Sequence, residues 1–64
     1  MPLVEVSLLE GRPKEKKLAL IKAVTDAVES TLEVPRESVR VILREVPPEH
    51  WGVGGVAKSE SPKK

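Results

Sequence analysis

A single amphipathic stretch of twenty residues, Lys14 to Glu33, set between two short alternating segments, constrains this chain more than anything else in it. Leu18, Ile21, Val24, Val28 and Leu32 recur at three- and four-residue steps, the spacing of one helix face. Leu20, Ala23, Ala27 and Thr31 widen that stripe well past a narrow seam. Ahead of it, Leu3 to Leu9 reads LVEVSLL, in which Val4, Val6 and Leu8 alternate with Glu5 and Ser7 as in a half-buried strand. After it, Ser38 to Val46 reads SVRVILREV, with Val39, Val41 and Leu43 alternating with Arg40, Ile42 and Arg44. Gly11 and Pro13 punctuate the helix start, and Val34-Pro35 ends it, because the residue before a proline avoids helical dihedrals. Strand, long helix, strand predicts an α/β (α+β) fold, a βαβ unit whose two strands run parallel with a right-handed crossover.

Such a unit is too small to stand alone. A two-stranded sheet is marginal in water, and a chain of 64 residues buries a modest fraction of its surface. Small scaffolds are stapled by disulfides, a metal or oligomerisation. Here there is no cysteine, the lone His50 has no partner at a metal-ligand spacing, and the one aromatic residue is Trp51. By elimination, self-association supplies the missing buried area, and no metal is expected. The chain reads as one domain, 1–64. Pro47-Pro48 opens a loop, His50 to Val56 suggests a short hairpin with glycines at its turn, and 57–64 reads as a flexible tail.

Composition narrows the partners. With 39% hydrophobic and 33% charged residues the chain suits a folded soluble domain. A net charge of +1 is too balanced for nucleic acid or an anionic membrane as the main partner. Nothing approaches the ~20 apolar residues of a membrane span, and the start lacks the pattern of a secretory signal, so a cytoplasmic location is expected. Lys14, Lys16, Lys17 and Lys22 crowd the start of the helix, against the sign its dipole favours, and read as a solvated face.

Three features carry chemistry. Pro2 follows the initiator methionine and is small enough to permit its removal, which leaves a secondary amine at the head of a strand. That amine serves as a base or nucleophile if apolar walls and nearby cations disfavour its charged form; otherwise Pro2 is an ordinary second-position proline. Arg12, just past the first strand, and Arg40, on the second, carry guanidinium forks that bind carboxylates bidentately, and each also reads as an ordinary surface arginine. Arg44 reads as structural. Trp51, followed by glycines on a late loop, suits an interface anchor or a substrate wall, and His50 a loop residue.

Taken together, Pro2, Leu9-Glu10-Gly11-Arg12, Ser38-Val39-Arg40-Val41-Ile42 and His50-Trp51-Gly52-Val53-Gly54-Gly55 make the chain resemble the 4-oxalocrotonate tautomerases of the tautomerase superfamily, from Pro2 to about Val56. The resemblance implies a cofactor-independent isomerase of aromatic hydrocarbon catabolism and a homohexamer, a trimer of dimers, in which subunits pair into four-stranded sheets. It implies that Pro2, freed of Met1, is the catalytic base that converts a 2-hydroxymuconate-type dienol to a 2-oxo-3-enedioate. In that picture Arg40 holds the near carboxylate and the 2-oxygen, and Arg12 the far carboxylate. Trp51, where phenylalanine is common, keeps the pocket apolar, and Leu9 and Ser38 line it. The arginines come from neighbouring subunits. Three departures stand out: the larger Trp51, the stiff Pro47-Pro48, and a tail with no family pattern.

Two alternatives differ in chemistry. One is a superfamily enzyme acting on a monoacid enol or a haloacrylate, although no acidic residue offers itself to activate water for dehalogenation. The other is a non-catalytic oligomeric interaction module.

Overall fold

The computed structural model describes residues 1–60. Strand β1, Leu3–Leu9, leads through a short turn into helix α1, Lys14–Leu32, and back to strand β2, Arg40–Val46. The strands pair in parallel, Leu3 opposite Arg40 and Leu9 opposite Val46. A hairpin of two-residue strands follows, β3 at Gly52–Val53 and β4 at Val56–Ala57. The βαβ unit and the hairpin are those expected from the sequence.

Alternation sets the two faces of the sheet. Val4, Val6, Leu8, Val41 and Leu43 are half-buried towards the helix, while Leu3, Glu5, Ser7, Arg40, Ile42 and Arg44 are exposed on the other side. From α1, Leu20, Ile21, Val24 and Val28 are half-buried, at the steps of one helical stripe. Leu18 and Leu32, read from the sequence as part of that stripe, lie outside it at 55% and 57% exposure. The stripe follows Leu20 rather than Leu18, so the two outlying leucines flank the contact with the sheet.

Boundaries differ locally for identifiable reasons. Helix α1 stops at Leu32, and Glu33 takes a left-handed conformation, φ 57°, with its N–H donating to the Glu29 carbonyl. The proline two residues on makes continuation unfavourable. Ser38 belongs to a 3-10 turn, Arg36–Ser38, and not to β2 as the alternating pattern suggested; its hydroxyl donates to the Pro35 carbonyl at 2.8 Å. Pro48–His50 form another 3-10 turn. In the hairpin, Gly54 and Gly55 both have positive φ, 61° and 87°, the pair of values that a tight turn matching strand twist requires. Ala57 pairs in β4, and Lys58–Glu60 form a 3-10 turn whose first N–H donates to the Trp51 carbonyl at 2.7 Å. The expected tail thus begins with ordered residues; its remainder, 61–64, lies outside the described residues.

No described residue is fully buried. The radius of gyration is 14.9 Å, where a compact chain of this length has about 11 Å. Strand β4 of the hairpin packs on the 3-10 turn Pro48–His50, and Val53 and Val56 stay 64% and 47% exposed. The open face of the sheet carries Leu3 and Ile42 at 55% and 42%. A chain with this much apolar surface and no core needs partner surface to be stable. Its thermal midpoint is therefore expected to rise with protein concentration. Scanning calorimetry over a hundredfold concentration range, beside sedimentation, checks this; a midpoint independent of concentration contradicts it.

Candidate active site

Parallel pairing sorts the expected site residues into two groups. Pro2, Ser38 and Arg40 lie at the end of the sheet where both strands begin. Leu9 closes β1, and Arg12 and Trp51 follow the strands' other ends. Seven residues of β1 at ~3.3 Å each separate these ends by about 23 Å. That is far beyond the reach of an arginine side chain, so one chain does not bring Pro2 and Arg12 together.

At the first end, Pro2 is half-buried, and its carbonyl accepts the Arg40 N–H at 3.0 Å. This main-chain bond extends the β1–β2 ladder by one residue and fixes Pro2 beside the second strand. Met1 precedes it at 84% exposure and acylates its nitrogen. While Met1 remains, that nitrogen is an amide without a basic lone pair. The Arg40 guanidinium turns back to the Glu37 carbonyl at 2.7 Å, and Ser38 is half-buried in the same turn. No ion pair engages Arg40 among the described residues, so its charge remains available to an anion.

The turn that carries Ser38 is clasped to the helix by charge. Arg36 lies 2.8 Å from Asp26 and 2.6 Å from Glu29, and Lys22 reaches Asp26 at 3.0 Å. Hydrogen bonds from Lys22 and then Arg36 hold the Asp26 carboxyl below its ordinary 3.8. Asp26 and Glu29 in turn raise the Arg36 guanidinium further above its already high value.

At the opposite end a cleft of ≈ 390 Å³ opens between the end of β1 and the first turns of α1. Leu8, Pro13 and Leu20 form its apolar wall, with Arg12, Lys16 and Lys17 around them. The Arg12 guanidinium donates to the Leu9 carbonyl at 3.1 Å. Lys17, read from the sequence as part of a solvated face, is instead half-buried and pairs with Glu45 at 3.0 Å, tying α1 to β2. Leu9 does not line this cleft, whereas Leu8 does. The alternation that turns Leu8 towards the helix was the available signal for that difference. Trp51 is half-buried at the base of the hairpin arm, its backbone N–H donating to the Pro48 carbonyl at 3.2 Å. Among the described residues no group of three or more His, Asp or Glu is placed to hold a metal, and no helix is long and apolar enough to cross a membrane.

The arrangement is a half-buried proline and a cationic strand end on one side, and a cationic cleft with apolar walls on the other. The fold that carries it is shared with known proteins. A 4-oxalocrotonate tautomerase homologue of the tomaymycin biosynthetic pathway superposes with a TM-score of 0.90 at 51% identity, covering 92% of this chain and 91% of that one. A subunit of a heterohexamer 4-oxalocrotonate tautomerase from Chloroflexus aurantiacus superposes at 0.89 with 43% identity, covering 94% and 97%. A protein of Ralstonia nicotianae named "Probable tautomerase" is 61% identical over 59 residues, 92% of this chain and 84% of that protein. The family model described as tautomerase enzyme matches residues 2–61, and the chain belongs to the tautomerase family.

The clasp makes a pH-dependent prediction. Asp26 has a depressed folded-state pKa, so its contribution is present above about pH 3.8 and is lost as pH falls through the lower folded value. Asp26→Asn is expected to lower the thermal midpoint slightly at pH 7, with the difference from the parent shrinking at a pH well below 3.8. Calorimetry at the two pH values tests this; a gap that widens in acid contradicts it.

Proposed function

We propose that the chain is a cofactor-independent isomerase that ketonises 2-hydroxymuconate-type dienols to 2-oxo-3-enedioates, with the Pro2 amine as general base once Met1 is removed. The observation that carries this reading is the position of Pro2: first in line after an exposed methionine, half-buried at the head of β1, in a chain of the tautomerase family. Its ring is part of the backbone, so the nitrogen is held in place without a rotatable side chain. In the reaction the amine takes the proton of the 2-hydroxyl, the electrons shift along the diene, and the same proton equivalent returns to carbon-5. Arg40 binds the near carboxylate and the 2-oxygen, where negative charge develops. Arg12 grips the far carboxylate bidentately. Trp51 supplies an apolar wall, Ser38 lines the Pro2 end, and Leu9, outside the cleft itself, steadies Arg12 through its carbonyl.

The separation of the two groups supports assembly of the site between subunits. Pro2 of one chain faces an Arg12 cleft contributed by another, in a homohexamer built as a trimer of dimers with four-stranded sheets. The exposed Leu3, Leu18, Leu32, Ile42, Val53 and Val56 are the surfaces such an assembly covers. The heterohexameric relative supports the same assembly size. In this reading the enzyme works in the cytoplasm. A monoacid enol is the second reading, favoured by the bulk of Trp51 where phenylalanine is common in the family.

Mass spectrometry of the purified protein is expected to show loss of Met1. Pro2→Ala should preserve the oligomer and slow ketonisation of 2-hydroxymuconate by at least ~100-fold, the scale of a lost general base. An unchanged rate in processed protein would sink the proposal. The pH profile of kcat/KM should rise with an apparent pKa well below that of a free secondary amine, because an apolar wall and cations both disfavour the protonated form. Arg12→Ala should mainly raise KM for the diacid, by about tenfold for a lost charged hydrogen bond of ~1.5 kcal/mol, and spare a monoacid. A fall in kcat with KM unchanged contradicts that role.

A further inference from the structure

Three cations border the cleft at the end of β1, and their situations differ. Lys17 is committed to Glu45 at 3.0 Å. Arg12 has one side-chain hydrogen bond among the described residues, to the neutral Leu9 carbonyl. Lys16 has neither a side-chain hydrogen bond nor an ion pair among the described residues. The cleft thus holds two uncompensated positive charges over an apolar wall of Leu8, Pro13 and Leu20. Its volume of ≈ 390 Å³ is at the lower end for small-molecule pockets. The cations also crowd the start of α1, where the helix dipole disfavours positive charge. That placement carries a stability cost which an anion bound in the cleft would relieve.

We propose that Lys16 is a second cation of the far-carboxylate subsite, so that Arg12 and Lys16 bind that end of the substrate together. This rests on the tautomerase reading above and adds a determinant of substrate choice to it. Arg12 supplies the directional fork, and Lys16 adds a mobile point charge on a flexible stem. The consequence is preference for substrates with an anionic distal group over those with an apolar one. Lys16 acts on binding at that end and not on proton transfer at Pro2.

The test uses Met-processed, assembled protein and two readouts. The first is calorimetric binding of adipate, a saturated dicarboxylate, against hexanoate, its monoacid counterpart. The second is the ratio of kcat/KM for 2-hydroxymuconate to that for phenylenolpyruvate. Lys16→Gln should lower the adipate preference and the kinetic ratio by about threefold to fivefold, the scale of an exposed charge contact. Lys16→Arg should restore both, and added salt should weaken adipate binding to the parent more than to Lys16→Gln. An unchanged preference in Lys16→Gln, or equal losses for diacid and monoacid, overturns the proposal. The two readings fail separately. If Pro2→Ala stays active while adipate preference still depends on Lys16, the base assignment falls and the subsite stands. If Pro2→Ala is inactive and Lys16→Gln behaves as the parent, the subsite falls alone.

Discussion

Parallel pairing of β1 with β2 is the constraint on which the rest depends. A parallel pair needs a long crossover, which α1 provides, and it places both strand starts at one end and both strand exits at the other. The proline and the strand arginine therefore gather at one end, and the loop arginine, the lysines and the hairpin at the other. Within a chain of this size no bend of the sheet brings these ends together. The chemistry proposed for the family's fold here is for that reason a property of an assembly. The same lack of bulk that leaves every described residue at least partly exposed keeps Pro2 and Arg12 apart.

The exposed apolar residues fit that view. Leu3 and Ile42 lie on the open face of the sheet, Leu18 and Leu32 flank the helix, and Val53 and Val56 lie on an arm that touches little of its own chain. Each is an ordinary core residue type left without a core. At about 25 cal/mol per Å², covering such side chains yields more than any surface ion pair the chain makes. Charge instead fixes geometry. Arg36 clasps the turn before β2 to the helix, and Lys17 ties the helix start to the strand end, so the elements that carry Arg40 and Arg12 are braced at both ends of α1.

Electrostatics of the candidate site follow from what is left unpaired. Asp26, Glu29 and Glu45 absorb Lys22, Arg36 and Lys17. Arg12, Lys16 and Arg40 remain without an acidic partner among the described residues, and Arg12 and Arg40 instead lean on main-chain carbonyls. A near-neutral chain thus presents unpaired positive charge at both places where a dicarboxylate is proposed to bind. Net charge alone concealed this, because it does not say which charges are paired.

Much of the fold was legible because it is set by local periodicity. A step of two residues in β1 and β2, a step of three to four in α1 and the Gly54-Gly55 turn need no knowledge of distant neighbours. The candidates Pro2, Arg12, Arg40 and Trp51 were picked out by residue type and place in the chain, and their roles are proposed. Tertiary structure decided what depends on residues far apart. It turned Leu8 rather than Leu9 into the cleft, drew Ser38 into a turn ahead of β2, and left Leu18 and Leu32 off the stripe. It also spent Lys17 on Glu45, 28 positions away, while leaving Lys16 without a side-chain partner among the described residues. A one-residue difference on a helix is a rotation of about 100°, and only the packing partner says which side that rotation faces.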